Sequence, residues 1–145
     1  MLKHILVSLD GSALSERALE HAKKFIAPDG KITLVRVAEV AVLSRLQQRT
    51  SDPEKLNKRA RHVAEEYLQG FASDLSKEGI QTDVAVRYGK PAEAIVSAAQ
   101  ELAVDAIVIS THGRTGISRL MVGSVTQDVI NTATCLIIVV PNTGG

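Results

Sequence analysis

The run Ser110-Thr111-His112-Gly113-Arg114 and, after nine more residues counted from Gly113, the pair Gly123-Ser124 combine residue types that could bind an anion. Glycines let the main chain turn tightly and approach a ligand closely. A helix opening at Ser124 leaves the N–H groups of its first turn without intrahelical partners, and with the helix dipole these suit phosphate. The Ser124 hydroxyl adds a donor, and Arg114 can pair bidentately with a phosphate. Two to four such N–H bonds contribute on the order of 1–3 kcal/mol of selective anion binding. Each residue also has a plainer role. Gly123 and Ser124 alone would be a turn glycine and a helix cap, and Arg114 a solvated loop residue. His112 has no Ser–Asp partnership nearby, so it shapes the loop and is not a catalyst. The spacing favours the cradle, as does the apolar run Ala106-Ile107-Val108-Ile109 that leads into it.

Asp10 is the second point of interest. It ends the apolar run Ile5-Leu6-Val7-Ser8-Leu9 and precedes Gly11-Ser12. A carboxylate is a poor neighbour for phosphate but a good acceptor for ribose hydroxyls or an amine. A turn aspartate ahead of a helix is the equally weighted alternative. No lysine stands in the glycine-bearing loop, so there is no G-x(4)-G-K-[ST] signature, and no paired acids or obvious base flank the cradle. No catalytic set and no metal site are expected. The single cysteine, Cys135, excludes an intramolecular disulfide, fits a reducing cytoplasm, and reads as a small buried side chain.

These loops need elements to hold them. The chain has 145 residues, 45% of them apolar, a length suited to one domain with one core. A net charge of +1 gives no basic surface for nucleic acid or an anionic membrane, and 3% aromatics is sparse for base stacking. The Met1 stretch is too short for a signal peptide, and no run approaches the length of a membrane span. Strands are expected at 3–9, 31–37, 81–87, 106–110 and 136–140. The third alternates polar and apolar side chains, as at a sheet edge. Helices are expected from the Ser12 cap to about Ala27, from Pro53 to a Gly79 cap, after Pro91, and over about 124–134. Leu14, Ala18, Ala22 and Phe25 make the buried stripe of the first helix; Leu56, Ala60, Val63, Tyr67, Phe71 and Leu75 make that of the second. Lys58, Arg59, Arg61, Glu65 and Glu66 read as a solvated face. The segment from Ala38 to Ser51, with Val40, Leu43 and Leu46 three apart, reads as one or two short helical turns. Alternation of strand and helix predicts an α/β fold with one parallel, doubly wound sheet and helices on both faces.

The loop spacing resembles the signature G-x-x-G-x(9)-G-[ST] of the universal stress protein family, with Ser110 at its first glycine. The resemblance runs from Ile5-Leu6-Val7-Ser8-Leu9-Asp10-Gly11-Ser12 to Ile137-Ile138-Val139-Val140-Pro141. It implies the adenine nucleotide α-hydrolase-like fold, five strands in the order 3-2-1-4-5. In that order the winding reverses between strands 1 and 4, where ligands bind. It also implies an ATP-binding sensor or regulator with at most slow hydrolysis. The implied contacts are the strand ends Ser8-Leu9 and Ile109-Ser110, Asp10 at the adenine–ribose part, the Val37 backbone at adenine, and His112, Gly113, Arg114, Gly123, Ser124, Val125 and Thr126 around the phosphates. A Mg²⁺ ion would arrive on ATP oxygens. Ser110 either donates its hydroxyl to the ligand or weakens binding through its Cβ. The uncharged run 136–140 at a sheet edge invites pairing, and the resemblance implies a homodimer through it. A regulatory protein partner is expected. The alternatives are an ATP hydrolase and a stress protein that binds no nucleotide and acts through protein contacts alone.

Overall fold

The computed structural model describes residues 1–38, 53–112 and 122–142, with side chains in the second stretch from residue 57 onward. Strands β1 (Leu2–Ser8), β2 (Ile26–Ala38), β3 (Gln81–Tyr88), β4 (Ala106–Ser110) and β5 (Leu136–Val140) form one parallel sheet in the order β3-β2-β1-β4-β5. Helices α1 (Ala13–Ala22), α2 (Pro53–Lys77), α3 (Pro91–Glu101) and α4 (Ser124–Thr132) separate the strands. The expected strand order holds. β1 lies between β2 and β4, with Ile5 opposite both Ile32 and Ala106, so the winding reverses there.

The side-chain alternation of the strands makes two apolar layers. Ile5, Val7, Ile32, Leu34 and Val108 pack with Ala18, Leu19 and Ala22 of α1 and Leu68, Ala72 and Leu75 of α2. Leu6, Val35, Ile107 and Ile109 pack with Ile95, Ala98 and Ala99 of α3 and Val129 of α4. Central strand β4 is buried at all five positions, which is why it contains no alternation. β3 alternates and lies at one edge, as expected. β5 lies at the other edge, with Leu136 54% exposed and only Val140 buried.

The end of α1, the start of β2 and the buried face of α2 differ from the sequence reading. α1 stops at Ala22 and not near Ala27, because the next residues are drawn into the sheet. Leu2 N–H donates to the Phe25 carbonyl at 2.9 Å, and Leu2 pairs with Ile26. The register then breaks, so that His4 pairs with Lys31 and Pro28-Asp29-Gly30 sits within a bulge of β2. A Cβ on Gly30 would lie 2.8 Å from the Ile26 side chain and 3.0 Å from the Lys3 carbonyl oxygen, so the bulge requires glycine. Phe25 is left 40% exposed. The buried stripe of α2 is also shifted by one residue. Ala64, Leu68, Ala72 and Leu75 are buried, whereas Val63 is 60% exposed. The helix ends as Gly79 predicts: its φ is +83°, and the Ile80 N–H reaches the Leu75 carbonyl at 3.0 Å. Of the segment Ala38 to Ser51, where short helical turns were expected, Ala38 ends β2 and the rest lies outside the described residues.

The base of the sheet is fastened by Asp105. Its Oδ2 accepts the main-chain N–H groups of Lys3 and His4 at 3.1 and 2.9 Å, and its own N–H donates to the His4 carbonyl at 2.8 Å. The opposite end, where the strands' carboxyl termini lie, is open.

Candidate functional site

The chain leaves β1 and β4 toward opposite faces of the sheet, α1 packing in one apolar layer and α4 in the other, and a cleft of about 630 Å³ opens above the two strand ends. Its lining brings together Ser8, Leu9 and Asp10 from the end of β1, Val37 from β2, Ile109 and Ser110 from β4, and Gly123, Ser124, Val125 and Thr126 at the start of α4. Gly113 and Arg114 lie outside the described residues. His112 does not line the cleft. It is 2% exposed, its Nδ1 lies 3.1 Å from the Thr111 Oγ1, and its buried Nε2 has no hydrogen-bond partner among the described residues.

Two helices begin at this cleft, and their starts differ. At α1 the Ser12 Oγ accepts the Ser15 N–H at 3.1 Å, a side-chain cap. The Asp10 Oδ1 accepts the Ser12 N–H at 2.9 Å, which fixes the carboxylate at the rim. The Ser15 hydroxyl is buried; it accepts from the Asp10 N–H at 3.2 Å and donates to the Ser12 carbonyl at 2.9 Å. Glu16 stands in the first turn. At α4 the cap position is Gly123, no side chain among the described residues caps the first turn, and no acid stands in it. The N–H groups of Ser124, Val125 and Thr126 are thus left for an external acceptor.

Glycine at 123 is needed for a reason of main-chain packing. Its N–H donates to the Thr111 carbonyl at 2.6 Å, and a Cβ would sit 3.1 Å from that same oxygen. A side chain here would push against the β4 loop, not out into the cleft. Thr111 N–H in turn donates to the Val140 carbonyl at 3.0 Å, tying the loop to β5. The Ser110 hydroxyl, 5% exposed with its residue, donates to the His112 carbonyl at 2.7 Å. The Thr126 hydroxyl donates to the Ser110 carbonyl at 2.7 Å.

Several lining residues were not anticipated, among them Arg36, Arg59, Val63 and Ser15. Arg36 follows Val35 on β2, so pleat alternation turns it toward α2, where its guanidinium lies 4.7 Å from the centre of the Tyr67 ring. Burial, and then the charge of Glu16, push the Tyr67 phenol up to about 12, so it stays neutral at any physiological pH. Arg59, assigned from sequence to a solvated face, stands at the mouth of the cleft with Val63. Ser15 forms part of the floor. Strand alternation was a usable signal for Arg36; Arg59 required the phase of α2, which the apolar pattern misplaced. Among the described lining residues Asp10 is the one acid, facing two arginines. No cluster of three or more His, Cys, Asp or Glu side chains suited to a metal occurs among the described residues, and none of the described helices is long and apolar enough to cross a membrane.

Comparison with known proteins places this geometry. Residues 1–141 match the universal stress protein family. A protein from Staphylococcus haemolyticus bearing the universal stress protein name is 29% identical over 145 residues, spanning 95% of this chain and 84% of that protein. Among solved structures, that of hypothetical protein MJ0577 is 26% identical with a TM-score of 0.86, covering 99% of this chain and 98% of the other. Two more distant structures share the fold. An Arabidopsis thaliana family protein with AMP bound has a TM-score of 0.70 at 17% identity, covering 97% and 93% of the two chains. A universal stress protein in complex with cAMP has 0.60 at 22%, covering 97% of both. The chain belongs to the universal stress protein family.

Proposed function

We propose that this member of the universal stress protein family binds ATP in the cleft between β1 and β4 and serves as a nucleotide-dependent regulator, not as an efficient enzyme. The observation that carries the reading is the uncapped start of α4. Three first-turn N–H groups and the exposed Ser124 hydroxyl face a cleft of nucleotide size, with no side chain among the described residues satisfying them. The AMP and cAMP held by two proteins of the same fold support an adenine nucleotide as the ligand.

In this reading the Asp10 carboxylate, held by the Ser12 N–H, accepts from ribose hydroxyls, and the Val37 main chain meets the base. The phosphates lie on Ser124, Val125 and Thr126. Mg²⁺ would be carried on the phosphate oxygens, since the described lining offers only Asp10 as an anionic ligand. With no second acid or free base in that lining, hydrolysis is slow. The open edge of β5, apolar and half-exposed, supports a homodimer formed through residues 136–140, and a regulatory protein would read the nucleotide state of that dimer.

Titration calorimetry with Mg-ATP, AMP and cAMP tests the ligand, together with melting shifts at millimolar nucleotide. Saturable binding of ATP is expected. No heat and no shift with any of the three would leave only the family and the fold. Light scattering at micromolar protein tests the dimer, and a monomer there would refute it.

A further inference from the structure

The hydroxyls of Ser110 and Thr126 line the cleft, yet neither can donate to a ligand there. A hydroxyl has one proton. That of Ser110 is given to the His112 carbonyl at 2.7 Å, and that of Thr126 to the Ser110 carbonyl at 2.7 Å. Both residues are almost fully buried, at 5% and 3% exposure. Turning either hydroxyl toward a phosphate would leave a buried carbonyl oxygen without its donor, which costs more than an exposed hydrogen bond returns. These side chains therefore do a different job. The Ser110 hydroxyl closes the turn leaving β4, across residues 110–112. The Thr126 hydroxyl ties the third residue of α4 to the last residue of β4. The Gly123 N–H bond to Thr111 at 2.6 Å runs beside them. Two hydrogen bonds thus tie the start of α4 to the end of β4, the Ser110 hydroxyl fixes the turn that follows β4, and together the three set where the α4 N–H groups aim.

We propose that Ser110 and Thr126 are a pair of positioning residues, a side-chain latch that fixes the α4 amides for phosphate, and that replacing Ser110 by glycine weakens phosphate binding. The proposal rests on the nucleotide reading above. It departs from both alternatives read from the sequence, that the Ser110 hydroxyl donates to the ligand or that its Cβ weakens binding. Glycine would remove the Cβ from the cleft, but it would also delete the bond to His112 and add backbone freedom at the hinge between strand and loop. Preorganised donors bind anions more tightly than donors that must be ordered on binding.

The test uses Ser110→Gly, Ser110→Ala, Thr126→Val and Thr126→Ser, with calorimetry against Mg-ATP, AMP and adenosine. Ser110→Gly, Ser110→Ala and Thr126→Val are expected to bind ATP about tenfold more weakly, while adenosine binding changes less than twofold and Thr126→Ser matches the parent. A general loss of structure would lower all three ligands together. Hydrogen exchange of the amides 123–126 without nucleotide gives a second readout: exchange should quicken in the three weakened variants and not in Thr126→Ser. ATP binding by Ser110→Gly as tight as the parent's, or tighter, overturns the proposal. If the parent binds no ATP the nucleotide reading fails first, and unchanged amide exchange in the variants would then remove the latch as well.

Discussion

The starts of α1 and α4 stand on either side of one cleft, each following a central strand, and they are finished in opposite ways. Ser12 closes α1 with its own hydroxyl, and Glu16, the fourth residue of the helix, answers the helix dipole. At α4 the cap is a glycine with no side chain to give, and Gln127 occupies the place that Glu16 holds in α1. The chain satisfies one helix start and leaves the other in need of an anion. The difference teaches that a helix N-terminus becomes a binding element through what is withheld from it, as much as through the glycines around it. It also assigns different consequences to similar substitutions at the two places.

Gly123→Val should produce the largest effect. The side chain would meet the Thr111 carbonyl, at 3.1 Å for the Cβ alone, and displace the first turn of α4. A loss of ATP affinity of a hundredfold or more is expected by calorimetry, with a stability loss of about 1–3 kcal/mol in urea denaturation. Intact affinity would mean that α4 does not hold the phosphates.

A crossed pair of serine substitutions comes next. Ser12→Ala removes a cap and should cost about 1 kcal/mol of stability with little change in ATP affinity. Ser124→Ala removes an exposed hydroxyl that caps nothing, so stability should hold within about 0.5 kcal/mol while ATP affinity falls by roughly threefold to tenfold. The contrast between the helices fails if both variants lose the same property.

Gln127→Glu would make α4 resemble α1. An acid in the first turn should stabilise the helix by about 0.3–1 kcal/mol at low ionic strength, and repel phosphate enough to weaken ATP by a few-fold. Added salt should shrink both effects.

The smallest effect is a control at the far end of the sheet. His4, whose Nε2 lies 2.7 Å from the Thr33 Oγ1, has its pKa lowered, first by burial and then by Lys31. The folded chain therefore prefers neutral His4. That contribution is complete above the ordinary histidine value of 6.5, and is lost as pH falls through the lowered one. Urea midpoints at pH 7.5 and 5 should differ less in His4→Gln than in the parent, with ATP affinity at pH 7.5 the same in both.

Much of this arrangement was legible in the chain itself. The Ser12 cap, the edge position of β3 and the start of α4 followed from residue types and spacing, because each depends on local chemistry or on a period; the strand order followed from the family resemblance. Features that depend on a distant partner did not follow. The early end of α1 comes from Leu2 pairing with Ile26. The phase of α2 was ambiguous because Ala60, Val63 and Tyr67 fit a helical stripe as well as Ala64, Leu68 and Ala72 do. Arg59 was misplaced with it. The use of the Ser110 hydroxyl depends on the His112 carbonyl two residues on, in a turn whose geometry the sequence leaves undetermined.

The Asp105 clamp has a consequence for biosynthesis. β1 leaves the ribosome ahead of one of its two neighbours, β4, and the carboxylate that accepts its Lys3 N–H lies 102 residues later. At roughly 5–20 residues per second of translation, that interval is about 5–20 s. For that time β1, with Ile5, Leu6 and Val7 at its centre, has one edge unpaired, and chaperone contact there, or a pause in synthesis, would act on this protein before its sheet is complete.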